Sequence, residues 1–168
     1  GRGYWLPFLL FLPAFALVAQ NSVLKKRHAQ RGTGPEVNAI ASQLKARMRP
    51  GECIFVFNGE PILYHLTKSC IPTAWSFTDH LSNKGDATGT GVDALAETRR
   101  IMAHNPRFVV TTAERLPKAN PRTWPFMEAE LRRHYRLIYR VRIGKCCTRV
   151  IYERRGGAGR LQGAASAH

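Results

Sequence analysis

Residues Tyr4 to Leu24 form an uncharged, strongly apolar run that stops at the basic cluster Lys25-Lys26-Arg27-His28. A run of this kind must find a core or a lipid phase, or be removed, because water does not tolerate it. As a helix it would extend about 31 Å, close to the hydrocarbon thickness of a bilayer. Eleven of its residues are Leu, Phe or Val, each favouring insertion by roughly 0.3–0.6 kcal/mol. Pro7, Pro13, Gln20 and Asn21 offset part of that gain, and Tyr4 and Trp5 stand where interfacial aromatics are usual. The pattern predicts a transmembrane helix over 4–24. A cleaved signal peptide competes, with Arg2 as its basic start and Leu17-Val18-Ala19 as the cut site. The run, however, exceeds the roughly 7–15 residues of a usual signal core. A buried soluble helix is a third reading. The first residue is Gly, not Met, and the expectation is that earlier segments of a longer chain precede it.

Behind the run, residues 32–153 read as one soluble α/β domain with enough chain for a single core. Residues 154–168, rich in Gly, Ala and Ser, read as a disordered tail. The formal net charge of +15 invites a nucleic-acid partner. The basic residues are scattered, though, and no zinc finger, helix-turn-helix or aromatic RNA-binding signature accompanies them, so no nucleic acid is expected. Anionic head groups or a phosphate-bearing substrate account for the charge equally well. Cys53, Cys70, Cys146 and Cys147 lack metal-ligand spacing, and neither a metal nor a cofactor is expected. Cys53 opens an apolar strand as a small buried hydrophobe. Cys146 and Cys147 should point to opposite faces of a strand. Cys70 is open to a disulfide in an oxidising compartment.

Val37, Ile40, Ala41, Leu44 and Met48 have helical spacing and end at Pro50-Gly51. Cys53 to Phe57 is a continuous apolar run, the mark of a strand buried on both faces. Asn58-Gly59 breaks it, and Pro61 suits the first turn of a helix through Leu66. Thr73 to Phe77 reads as a second strand and Ser82 to Gly91 as a loop. Thr90 and Asp93 can cap a helix reaching His104. Arg107 to Thr112 reads as a strand, and Phe126 to Tyr135 as a helix. Arg136 to Ile143 and Cys146 to Tyr152 form a half-buried antiparallel hairpin. The alternation predicts a small, mostly parallel sheet with flanking helices and that hairpin at its edge.

The chemistry is sparse. Asn58-Gly59 lies between strand and helix, where open α/β sheets bind phosphates, but a single Gly is no dinucleotide fingerprint. Gly85, Gly89 and Gly91 have no strand leading into them. Asp79-His80 offers an acid/base pair in principle, yet neighbours in sequence seldom converge on one atom. His65 sits among apolar residues. No nucleophile elbow, P-loop, H-E-x-x-H or paired-carboxylate motif occurs, so no catalytic residue is assigned.

One stretch is familiar. Phe57-Asn58-Gly59-Glu60-Pro61-Ile62-Leu63-Tyr64-His65-Leu66-Thr67 runs on to Cys70-Ile71-Pro72-Thr73, Phe77 and His80-Leu81. With Gly91-Val92-Asp93, Arg100-Ile101-Met102 and Pro106 to Val110, it resembles the C-terminal soluble domain of bacterial family-39-like glycosyltransferases of the GT-C superfamily. The family's Pro-Gly-His-Leu stands here as Thr78-Asp79-His80-Leu81. The resemblance implies transfer of a sugar from a polyprenyl-phosphate carrier, in the cell inner membrane, alongside upstream transmembrane helices. The catalytic carboxylate would lie in an earlier loop, outside this sequence. Asn58, Glu60 and His80 are the candidate substrate-binding residues, and Lys25 and Arg27 would meet lipid phosphates. The implied side of the domain is extracytoplasmic. The basic residues after the span favour the cytoplasmic side instead. The alternative function is a single-span anchored α/β domain that binds a ligand or partner without catalysis.

Overall fold

The computed structural model describes residues 5–31 and 34–156, with side chains at 12–26 and 34–156. Helix α1 (Trp5–Arg31) is followed by α2 (Gly34–Lys45), strand β1 (Ile54–Val56), α3 (Ile62–Thr67), α4 (Asp79–Ser82) and α5 (Ala94–Ala103). Strand β2 (Phe108–Thr112), α6 (Thr123–His134), β3 (Tyr135–Ile143) and β4 (Cys147–Arg154) complete the domain. Every described side chain of α1 is exposed, including Leu12, Phe15, Leu17, Val18, Val23 and Leu24. Among the described residues no helix is long and apolar enough to cross a membrane. The predicted span 4–24 lies partly outside them, since Tyr4 and the side chains up to Phe11 are not described. Most of the predicted tail is also outside them; Arg154 still belongs to β4, paired with Tyr135.

The sheet order is β1-β2-β4-β3. Only β1 and β2 are parallel; β4 is antiparallel to both its neighbours. The sheet is therefore mixed, not mostly parallel. The cause is local: the short connection through Gly144, whose φ is +50°, returns the chain beside itself, and the hairpin then adds to β2 through its second strand. Strand alternation sorts the core into two layers. Ile54, Val56, Phe108 and Val110 pack with Ile40, Leu44 and Leu63 of α2 and α3. Phe55, Phe57 and Val109 pack with Leu81, Ile101, Trp124 and Met127 of the helices on the other face. Full burial of each such side chain stabilises the fold by roughly 1.5–3 kcal/mol. An irregularity between Leu137 and Tyr139 shifts the hairpin register.

Thr73 to Phe77 is not a strand. At the free edge of β1 the Val56 backbone is already satisfied by side chains. The Val56 N–H donates to the Tyr64 hydroxyl at 3.1 Å, and the Thr78 hydroxyl donates to the Val56 carbonyl at 2.5 Å. Cys70 bridges beside Cys53 and is disulfide-bonded to it, so Cys53 is more than a buried hydrophobe. Cys146 lies in the hairpin turn rather than in a strand, and there it bonds to Cys147 instead of pointing away from it. Asp93 caps α5, accepting from Ala96 N–H at 2.8 Å, as the sequence predicts.

Candidate functional site

The carboxyl ends of the parallel pair β1 and β2 lie on one edge of the sheet, the edge at which open α/β sheets place their ligands. Asn58 follows β1 directly and is 5% exposed. Its amide donates to Ser82 Oγ on α4 at 3.1 Å, and its Oδ1 accepts from Arg149 Nη1 of β4 at 3.0 Å. The same guanidinium grips the Glu60 carboxylate through Nε at 3.1–3.2 Å and Nη2 at 2.8 Å. Gly59 between them leaves little room, because a Cβ there would stand 3.1 Å from Val56 Cγ1. Asn58 and Glu60 are thus brought together, but their polar atoms hold Arg149. They frame the edge and position α4.

His80 is carried on α4, two residues before Ser82 of that cluster, and is buried. Its Nδ1 lies 3.2 Å from the Phe77 carbonyl, which can only accept; in the neutral ring this leaves the lone pair on Nε2. That nitrogen is buried without a hydrogen-bond partner, as is Thr90 Oγ1. The Trp75 ring meets the imidazole edge-on with centroids 5.1 Å apart. Asp79 lies exposed at the mouth. Surrounding protein and then the neighbouring Asp86 push its carboxyl above the ordinary value, against the pull of Arg149 and His80.

Two clefts flank Phe77. One, about 970 Å³, runs along α3 past Glu60, Ile62, His65 and Ile71. It is apolar, with Ile62, Ile71 and Phe77 exposed. The other, about 590 Å³, is lined by Trp75, Asp79, His80, Asp86 and Thr90. No protein-family model matches this chain, nor does any curated protein or solved structure. Among the described residues no group of three or more His, Cys, Asp or Glu is placed to hold a metal ion.

Of the sequence candidates, Asn58, Glu60 and His80 share this edge. Lys25 is exposed on α1 and takes no part in these hydrogen bonds, and the Arg27 side chain lies outside the described residues. Sequence reasoning missed Arg149, Asp86 and Trp75. Arg149 had a signal: a guanidinium in a strand between buried Cys147 and Val150 needs an acidic partner. Asp86 and Trp75 had none, since a loop fold brings them to His80.

Proposed function

We propose that this chain is the C-terminal part of an integral-membrane glycosyltransferase that moves a sugar from a polyprenyl-phosphate carrier to an acceptor. The α/β domain would cover the substrate cavity at the membrane surface, and the catalytic carboxylate would lie in an earlier part of the protein. The observation that carries this reading is α1, whose apolar side chains at 12–24 all face outward, a surface suited to lipid and not to water. The described fifteen side chains of 12–26 extend only about 22 Å; the proposed span takes in Tyr4 to Phe11 as well. Exposed Ile62, Ile71 and Phe77 supply a second apolar surface, fit to meet the carrier's chain. Lys25, Lys26 and Arg27 would meet its phosphate. The Cys53–Cys70 disulfide supports an extracytoplasmic domain, because such bonds persist in oxidising compartments.

The test uses membranes carrying the protein in its native context, supplied with radiolabelled polyprenyl-phosphate hexose. Label is expected to pass to an acceptor. Replacing Lys25, Lys26 and Arg27 together with Gln is expected to raise the apparent KM for the carrier at least about tenfold, from roughly 1 kcal/mol per basic residue. No transfer by the parent protein, or an unchanged KM, would overturn the reading.

A further inference from the structure

We propose that the cleft between Trp75 and Thr90 is a binding site for a primary organic ammonium group. Such a site would be additional to the proposed transferase activity and independent of it. First, the cleft offers acceptors. Asp79 and Asp86 place two carboxylates on its wall, in a chain whose net charge is +15. No Lys or Arg lines it. Arg149, the guanidinium whose field reaches Asp79, is itself held by Glu60 and Asn58.

Second, a buried polar atom waits inside. His80 is 5% exposed. Its Nδ1 is satisfied by the Phe77 carbonyl, while Nε2 is buried with no hydrogen-bond partner within the protein; in the neutral imidazole that nitrogen accepts. Thr90 Oγ1, on the same wall, is also unpartnered. Leaving such atoms without a hydrogen bond costs about 1–3 kcal/mol each. An ammonium group brings N–H donors for a buried acceptor and one positive charge to balance the carboxylates on the wall. Third, Trp75 and Phe77 supply aromatic surface beside the carboxylates, and a cation over such a ring is further stabilised. A phosphate or other anion would be repelled here. A metal ion is not served, for no set of three ligands converges among the described residues. The shared chemistry, R–NH3+, occurs on free amines and on ethanolamine lipid head groups alike.

The test is calorimetric titration of the full chain, in detergent micelles, with ethanolamine, glucose and potassium chloride. Saturable binding of ethanolamine is expected, with glucose and potassium at least about tenfold weaker. Asp86 stands on an exposed loop outside the core, so Asp86→Asn is expected to keep the fold while weakening ethanolamine at least about fivefold. Glu128→Gln, at a carboxylate that does not line the cleft and pairs with Arg115, is expected to leave the affinity unchanged. Flotation with vesicles containing or lacking phosphatidylethanolamine separates the sources. A preference lost in Asp86→Asn assigns the head group, and no preference assigns a free amine. Equal binding by parent and Asp86→Asn, or binding of glucose as tight as ethanolamine, overturns the proposal.

Discussion

Replacing Arg149 with Met separates the two halves of the β1 edge, and the structure gives the size of the effect. The guanidinium side chain is 11% exposed and its partner Glu60 24% exposed. It donates at 2.8–3.2 Å to Glu60 and at 3.0 Å to Asn58. Hydrogen bonds to a charged group contribute about 1.5–3 kcal/mol each, and losing one leaves its buried partner unsatisfied. Counting the Glu60 fork as one interaction and Asn58 as a second gives an upper figure of about 6 kcal/mol. Glu60 retains some access to water, and Met refills part of the volume, so about 2–4 kcal/mol is the expected loss. Urea unfolding of the micelle-bound chain, followed by far-ultraviolet circular dichroism, measures it. The decisive version is a double-mutant cycle with Glu60→Gln, where a coupling of about 1.5–2.5 kcal/mol is expected. An exposed ion pair would couple by no more than about 1 kcal/mol. A coupling below about 0.5 kcal/mol would refute the claim that this contact holds the edge together.

Two further outcomes are expected. Glu153 is buried, which works against its charge, but hydrogen bonds from Arg136 and Arg107 outweigh that and hold its carboxyl below the ordinary value. The folded state thus favours the ionised form, and that stability is present above the ordinary glutamate pKa. It is lost as pH falls through the lower folded value. An acid titration of stability should therefore be shallower in Glu153→Gln than in the parent; equal slopes would disprove the linkage. Cys70→Ser opens a bond spanning 17 residues and should lower unfolding free energy by about 3 kcal/mol. The same urea assay reads this, and a loss below about 1 kcal/mol would show that the edge of β1 is held by Tyr64 and Thr78 alone.

The parts of the fold legible in the sequence are those written in contiguous patterns. Ile40, Ala41 and Leu44 repeat at helical spacing and are buried in α2. Ile54 to Phe57 is apolar throughout because both faces of β1 are covered. The cap at Asp93 needs only a residue three positions ahead. What failed depended on pairing at a distance. Thr73 to Phe77 has strand composition, yet nothing local reveals that the Tyr64 and Thr78 hydroxyls occupy the β1 edge. The order of the sheet was illegible for the same reason, since a hairpin does not declare which of its strands will meet β2. At the site, Asn58 and His80 were found by their positions in the chain. Their surroundings come from Arg149 and the 75–90 loop, which no spacing rule connects to them.

The place of β4 in the sheet also dictates when the domain can assemble. Strand β4, synthesised after β1, β2 and β3, stands between β2 and β3, and it covers one edge of β2 along its whole length. Until Arg154 has been made, β2 has only three residues of β1 to pair with, and Val109 and Val110 lack a neighbour on their other side. Folding here cannot proceed strand by strand from the amino end, as nascent domains often begin to do. The nascent chain must hold an unfinished, aggregation-prone edge until β4 inserts. A premature stop between β3 and β4 would remove the strand that joins β3 to β2, leaving the β1–β2 pair and β3 with no hydrogen bonds between them.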